Sequence, residues 1–256
     1  MRHLFSSEGE AALVAALQYQ PLLAFDFDGT LAPIVPRPDD ARVSLAVAGR
    51  LSQLMRWLPV AIVTGRQVDD VRERLGFVPS YIVGNHGAED EADPAVAQAL
   101  SEALESARDL LAQREPVLRA AGVSVEDKQQ SIALHYRLAR DRDRARQVID
   151  EVLQGVGPAL TIFGGKLVVN LTPADAPDKA HAVRSLVARS GAGGALFAGD
   201  DLNDEPVFAT APPHWLTIKI GREPPQSRAS FFLENPAEMA LLLERILAML
   251  PGRISR

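Results

Sequence analysis

LLAFDFDGTLAPI, residues 22–34, decides how the rest of the chain reads. Its first four residues, LLAF, form the short apolar run of a strand buried on both faces in a parallel sheet. Asp26 and Asp28 follow, two residues apart, where the strand gives way to Gly29 and Thr30. Side chains at i and i+2 of an extended segment point the same way, so both carboxylates fall on one side. Open α/β sheets bind ligands at the carboxyl ends of their strands. Two anionic groups crowded at such a mouth are costly unless a cation or a reaction uses them. Taken alone, Asp28-Gly29 also reads as a plain turn with Asp26 an edge carboxylate. The neighbouring motifs decide between the two.

Further apolar runs repeat the pattern. VAIV (60–63) ends at Thr64-Gly65-Arg66, Tyr81 to Val83 runs into GNHG, and ALFAG (195–199) runs into Asp200-Asp201-Leu202-Asn203-Asp204-Glu205. LTIKI (216–220) is a fifth strand. Helical spacing lies between them. Residues 7–18 read as a short helix, Leu45, Ala48, Leu51, Met55 and Leu58 follow the candidate N-cap Ser44, and Val68, Val71 and Leu75 stop at Gly76. Asp178-Lys179 opens another helix, and Asn235 as N-cap with Pro236 and Glu238 behind it starts the last. Trp57 and Trp215 read as core residues. This alternation predicts an α/β fold, a doubly wound, mostly parallel Rossmann-like sheet.

From about residue 91 the pattern changes. Val96, Leu100, Ala103, Ala107, Leu110 and Leu111 mark one long amphipathic helix, and 123–128 with 131–138 alternate like a hairpin. A second helix carries Ala145, Val148, Ile149, Val152 and Leu153, and two short strands cover 160–163 and 166–171. This predicts an α+β unit over 91–173, inserted into a core domain of 1–90 and 174–256. Ile132, Leu134, Tyr136 and Leu138 share one face; His135 and Arg137 share the other. Glu126 pairs in parity with Lys128, and Lys166 with Asn170. One side of this small sheet buries against its helices, and the polar side is a binding face or a solvated one.

Composition narrows the classes. The chain has 256 residues, 47% hydrophobic and 23% charged, with a net charge of −6. That balance argues against a nucleic-acid binder. The absence of cysteine removes disulfides, thiolate catalysis and cysteine-held metals. No run is long and apolar enough to span a membrane, and the N-terminal residues lack a signal peptide's apolar region. The expectation is a cytoplasmic, soluble monomer acting on a small molecule.

In a parallel sheet Asp26/Asp28, Thr64 and Asp200/Asp201/Asp204 converge on one edge, with Lys179 nearby in sequence. Such a carboxylate cluster calls for a divalent cation, and oxygen ligands without cysteine favour Mg²⁺. A lysine and a threonine hydroxyl beside that cluster suit a phosphoryl group.

FDFDGTLAP, VTGR, Lys179 and GDDLNDE together resemble the four motifs of the haloacid dehalogenase superfamily. DGTLAPIVPRP, GNHGAE, VEDKQQSIALHYR, GGKLVVNLTPADAPDKA and GDDLNDE, spanning roughly 20–210, resemble its trehalose-6-phosphate phosphatase family, the branch with an inserted α/β cap. The resemblance implies a haloacid dehalogenase core and a Mg²⁺-dependent phosphatase acting through an aspartyl-phosphate. It implies Asp26 as nucleophile and Asp28 as general acid/base. Mg²⁺ is implied on Asp26, the Asp28 carbonyl and Asp200 with Asp201 in support, and phosphoryl oxygens on Thr64 and Lys179. Asn85, His86, Gly87, Glu126, Lys128, His135, Arg137 and Lys166 match positions lining the sugar cleft. Gly29, Arg66 and Asn170 join the expected substrate contacts, and the cap is expected to close over the site.

Two positions depart from the family pattern: Asn170 stands where V-x-E is usual, and Asp178-Lys179-Ala180 stands for N-K-G. The first leaves sucrose 6-phosphate and mannosyl-3-phosphoglycerate as alternative substrates. A non-catalytic sugar-phosphate sensor is the alternative from another class, and the presence of every chemical group argues against it.

Overall fold

An apolar strand buries both faces only in the interior of a sheet, and the LLAF run takes that place. The computed structural model describes residues 1–165, 167–222 and 226–250. One unit holds Met1–Gly87 and the chain from Asp178 onward; the other holds Ala88–Pro177. The first begins with β1 (Arg2–His3), α1 (Ser7–Leu17), β2 (Leu22–Phe25), α2 (Leu45–Leu54), β3 (Val60–Val63), α3 (Val68–Arg72) and β4 (Tyr81–Gly84). The second contains β5 (Glu89–Asp90), α4 (Pro94–Ala103), α5 (Glu105–Ala120), β6 (Ser124–Asp127), β7 (Ile132–His135), α6 (Arg142–Leu153), β8 (Leu160–Gly165) and β9 (Val168–Pro173). The first resumes with α7 (Lys179–Ser190), β10 (Ala195–Gly199), α8 (Glu205–Thr210), β11 (Leu216–Ile220), β12 (Phe231–Leu233) and α9 (Ala237–Met249).

Within the first unit, parallel pairings join the strands in the order β1-β12-β11-β10-β2-β3-β4. Phe25 of β2 stands opposite Ile62 of β3 on one side and Ala198 of β10 on the other. Strand order reverses at β2, which makes its carboxyl end a topological switch point. The pleat sorts side chains into two cores. Leu23, Phe25, Ile62 and Ala198 pack with residues of α2 and α9, while Leu22, Ala24, Val63 and Phe197 pack with α7 and α8. Each fully buried Leu, Val or Phe contributes roughly 1.5–3 kcal/mol, so the strand ends rest on a rigid platform.

In the second unit β6-β7-β9-β8 form an antiparallel sheet. Leu134, Val169 and Leu171 on one face pack with Leu111 of α5 and Ile149 of α6.

Several local expectations shift. The long helix after residue 93 breaks at Leu104, whose side chain is fully buried and whose flattened backbone (φ −89°, ψ −5°) separates α4 from α5. Ser44 caps α2 through the Val47 N–H, and Leu45 at the first helical position projects to solvent, 90% exposed. Val47 takes its place in the core. β7 ends at His135, so Leu138 lies in a turn, 89% exposed, and does not join the buried face. Trp57, in the turn after α2, is exposed rather than core. α9 starts at Ala237 behind Pro236, one residue later than an Asn235 cap would place it. Asn235 Oδ1 still accepts the Ala237 N–H at 3.0 Å. Among the described residues no helix is long and apolar enough to cross a membrane.

Candidate active site

β2 ends at Phe25, and the Asp26 N–H continues the sheet by donating to the Ala198 carbonyl at 2.9 Å. That bond sets the Asp26 side chain at the switch point. Lys179 arrives from the first residue of α7, whose start is capped by Asp178 accepting the His181 N–H at 2.8 Å. Its ammonium donates to Asp26 Oδ1 at 2.8 Å and to Asp204 Oδ1 at 2.7 Å. Lys179 and Asp204 are buried almost completely.

GDDLNDE builds the rest of the cluster. Leu202–Asp204 form a single 3-10 turn that folds Asp204 back beneath its own loop, where Oδ2 accepts the N–H groups of Asp200 and Asp201, both at 2.9 Å. Gly199 is required beneath it, because a Cβ there would stand 2.3 Å from the Asp204 carboxyl carbon. Gly29 does the same for Asp200. It has φ +78°, and a Cβ would lie 1.9 Å from Asp200 Oδ2. Carboxylate oxygens of Asp26, Asp200 and Asp204 thus lie within 4.8 Å of one another, all buried.

Three carboxylates against one ammonium leave the cluster short of positive charge. Burial pushes the Asp26 carboxyl well above its ordinary pKa, and Asp204 and Asp200 push it further against the pull of Lys179. Burial also works to lower the pKa of Lys179, but Asp204 and Asp26 outweigh it and hold the ammonium well above its ordinary value. A buried, all-oxygen donor set with excess negative charge fits a hard divalent cation. Both oxygens of Asp204 already serve Lys179 and the two N–H groups. Asp26 and Asp200 could therefore hold such a cation, while Asp204 holds the lysine and the loop behind them. Asp201, expected beside the metal, stands outside this group and caps the 3-10 turn through the Leu202 N–H at 2.8 Å.

The Asp28 carboxylate meets Arg66, with Nε to Oδ2 at 2.7 Å and Nη2 to Oδ1 at 2.8 Å. Thr64, at the end of β3, is 1% exposed and accepts the Arg66 N–H at 3.2 Å. The GNHG loop is tied to the same strand end: the Asn85 N–H donates to Arg66 O and the His86 N–H to Thr64 O, both at 2.9 Å. Asn85, His86 and Gly87 all have positive φ. A Cβ on Gly65 would come 2.3 Å from the His86 ring, so the imidazole lies directly on that glycine.

In the second unit His135 Nε2 and Glu126 Oε2 lie 2.7 Å apart across the β6–β7 pair. Lys128 Nζ stands 3.9 Å from the same Glu126 oxygen. Asn170 shares a rung with Ala133 and Glu126 and is 4% exposed. Arg137 lies beyond β7 in the turn. Lys166 lies outside the described residues. The sequence placed Asp204 among the converging carboxylates, either supporting the site or starting the following helix, but did not pair it with Lys179. Lys219, fully buried on β11, went unread; its Nζ lies 3.4 Å from Asp201 O and 3.9 Å from Glu205. A lysine inside the apolar run LTIKI was the signal.

Residues 24–236 match the family model described as trehalose-phosphatase. The trehalose-phosphate phosphatase of Mycobacterium marinum is 32% identical over 250 residues, covering 90% of this chain and 62% of the relative. That of Mycolicibacterium paratuberculosis is 35% identical over 243 residues, covering 88% and 62%. The chain therefore spans about three fifths of the length of these curated relatives. Among solved structures, the C-terminal domain of the Candida albicans (C. albicans) trehalose-6-phosphate phosphatase superposes with a TM-score of 0.77 at 21% identity, covering 94% of this chain and 97% of that one. That likeness establishes the fold.

Proposed function

The chain belongs to the trehalose-phosphatase family, and from that premise we propose that it hydrolyses trehalose 6-phosphate to trehalose and phosphate. The observation that carries the reading is the buried Asp26–Lys179–Asp204 arrangement, with Asp200 beside it, at the switch point of the sheet. Lys179 engages one oxygen of Asp26 and leaves attack on phosphorus to the other. As the Asp26–phosphorus bond forms, the bond from phosphorus to the sugar oxygen breaks, and Asp28 gives its proton to that oxygen. Water then attacks the aspartyl-phosphate, Asp28 takes the water proton back, and phosphate leaves with the Asp26 carboxylate restored. Mg²⁺ on Asp26, Asp200 and the Asp28 carbonyl would supply charge neutralisation for the phosphoryl oxygens. Thr64 and Lys179 orient those oxygens. The family resemblance implies sugar contacts by Asn85, His86 and Gly87 and, within the inserted unit, by Glu126, Lys128, His135 and Asn170. Phosphate monoesters are among the slowest substrates to hydrolyse unaided, so positioning and electrostatics together must supply on the order of 20 kcal/mol.

Phosphate release is to be measured on trehalose 6-phosphate, sucrose 6-phosphate, mannosyl-3-phosphoglycerate and p-nitrophenyl phosphate. The expected result is preference for trehalose 6-phosphate and loss of all turnover in Asp26→Asn. Turnover of trehalose 6-phosphate no faster than of the aryl phosphate overturns the substrate. Full turnover by Asp26→Asn overturns the mechanism.

A further inference from the structure

Arg66, Asp70 and Arg74 recur every four residues around α3, and their side chains form one continuous chain of ion pairs. The Arg66 guanidinium donates four hydrogen bonds: two to Asp28, one to Asp70 Oδ2 at 2.8 Å and one to the Pro38 carbonyl at 2.9 Å. Its guanidinium lies over the Phe27 ring, 5.1 Å from the centroid. Asp70 presents its other oxygen to Arg74, whose Nε donates to Oδ1 at 2.9 Å. Arg74 in turn reaches Asp39, with Nη2 to Oδ1 at 3.2 Å. Arg66 and Arg74 are 11% and 8% exposed, whereas the Asp28 side chain at the end of the chain is 39% exposed.

An aspartate that open to solvent rotates freely about two torsions unless something grips it. A guanidinium fork grips both oxygens at once and sets the plane of the carboxylate. The fork is itself on a long flexible stem, so its own position must come from elsewhere. Here the ring below and the carboxylate behind supply it, and Arg74 keeps that carboxylate from turning away. We infer that Asp70 and Arg74 are positioning residues, acting through Arg66 to hold the Asp28 carboxyl in its working orientation. This rests on the proposed role of Asp28 as proton donor to the leaving sugar oxygen.

Leaving-group chemistry separates this role from a structural one. A sugar alkoxide leaves poorly without a proton, whereas p-nitrophenolate leaves without one. kcat/KM reports events up to departure of the leaving group. It is to be measured in Mg²⁺ buffer for the wild type, Asp70→Asn, Asp70→Glu, Arg74→Met and Arg66→Lys, with circular dichroism confirming a folded chain at the assay temperature. Asp70→Asn and Arg74→Met are expected to lose about tenfold on trehalose 6-phosphate and less than twofold on the aryl phosphate. Asp70→Glu is expected to recover part of the loss. Asp70→Asn placed on Arg66→Lys is expected to add little further loss, because both act on one path. Equal losses on both substrates, no loss on either, or full additivity would overturn the inference. The wild-type arm reads the parent reaction separately: a sugar phosphate other than trehalose 6-phosphate as best substrate corrects the substrate and takes its place in the comparison. A wild type inactive on every sugar phosphate overturns the reaction and this inference together.

Discussion

Lys179 Nζ and Asp204 Oδ1 lie 2.7 Å apart with both side chains shut off from solvent. Breaking a buried pair costs about 3–5 kcal/mol when the partner is left uncompensated, and the low end applies here because Asp26 still pairs with Lys179. Asp204→Asn is therefore expected to lower unfolding stability in urea by about 3 kcal/mol. Lys179 would then answer to Asp26 alone, and the 200–201 loop would lose its carboxylate anchor. A kcat loss of about 100-fold should accompany the loss of stability, and a variant with wild-type values for both would show the pair to be incidental.

EDTA should abolish turnover and added Mg²⁺ restore it. A cation that binds only the folded state stabilises it by about 2.7 kcal/mol at 100 times its dissociation constant. Mg²⁺ should accordingly raise the melting temperature of the metal-free protein. Asp200→Asn should remove that shift, a readout independent of catalysis.

Gly29→Ala tests the close approach of Asp200. The substitution meets both a left-handed backbone, at φ +78°, and an oxygen 1.9 Å from the new methyl. Gly191 provides the control, since its φ is +69° and no atom lies within 4 Å of an added Cβ. Gly191→Ala is expected to cost about 1 kcal/mol of backbone strain and leave Mg²⁺ affinity unchanged. Gly29→Ala should cost more in chemical denaturation and weaken Mg²⁺ at least tenfold.

Hydrogen bonds from Arg74 and Arg66 hold the Asp70 carboxyl below its ordinary pKa despite the opposing effect of burial. A carboxyl depressed in the folded state contributes stability in full above its unfolded pKa of about 3.9. The contribution fades as pH falls through the lower folded value. The stability difference between wild type and Asp70→Asn should be greatest at neutral pH and shrink as pH falls through the depressed folded pKa of Asp70. A difference that grows toward acid would reverse the sign of the linkage.

Much of the fold was legible because burial leaves a short-range signature. LLAF, VAIV and ALFAG can only be interior strands, and Ser44 and Asp178 announce helix starts through side-chain oxygens near free N–H groups. Individual positions failed where burial depended on the exact residue at which an element starts, breaks or ends rather than on its type. Leu45 and Leu138 fit their local periodicities, yet the capping of α2 and the turn after β7 leave both in solvent. The break at Leu104 had no glycine or proline at the site to announce it.

The amino-acid order by itself determined which carboxylates and cations stand at strand ends, because strand type and strand end follow from neighbouring residues. It likewise determined that oxygen chemistry would serve the site, since the chain contains no cysteine. Only the tertiary structure decided which acids share a centre: Asp204 joins Asp26 and Asp200, Asp201 becomes a cap, and Asp28 turns to Arg66. The reason is that a carboxylate's role depends on which donors reach it from tens to more than a hundred residues away along the chain. Lys179 is 153 residues from Asp26 in sequence and 2.8 Å from it in space.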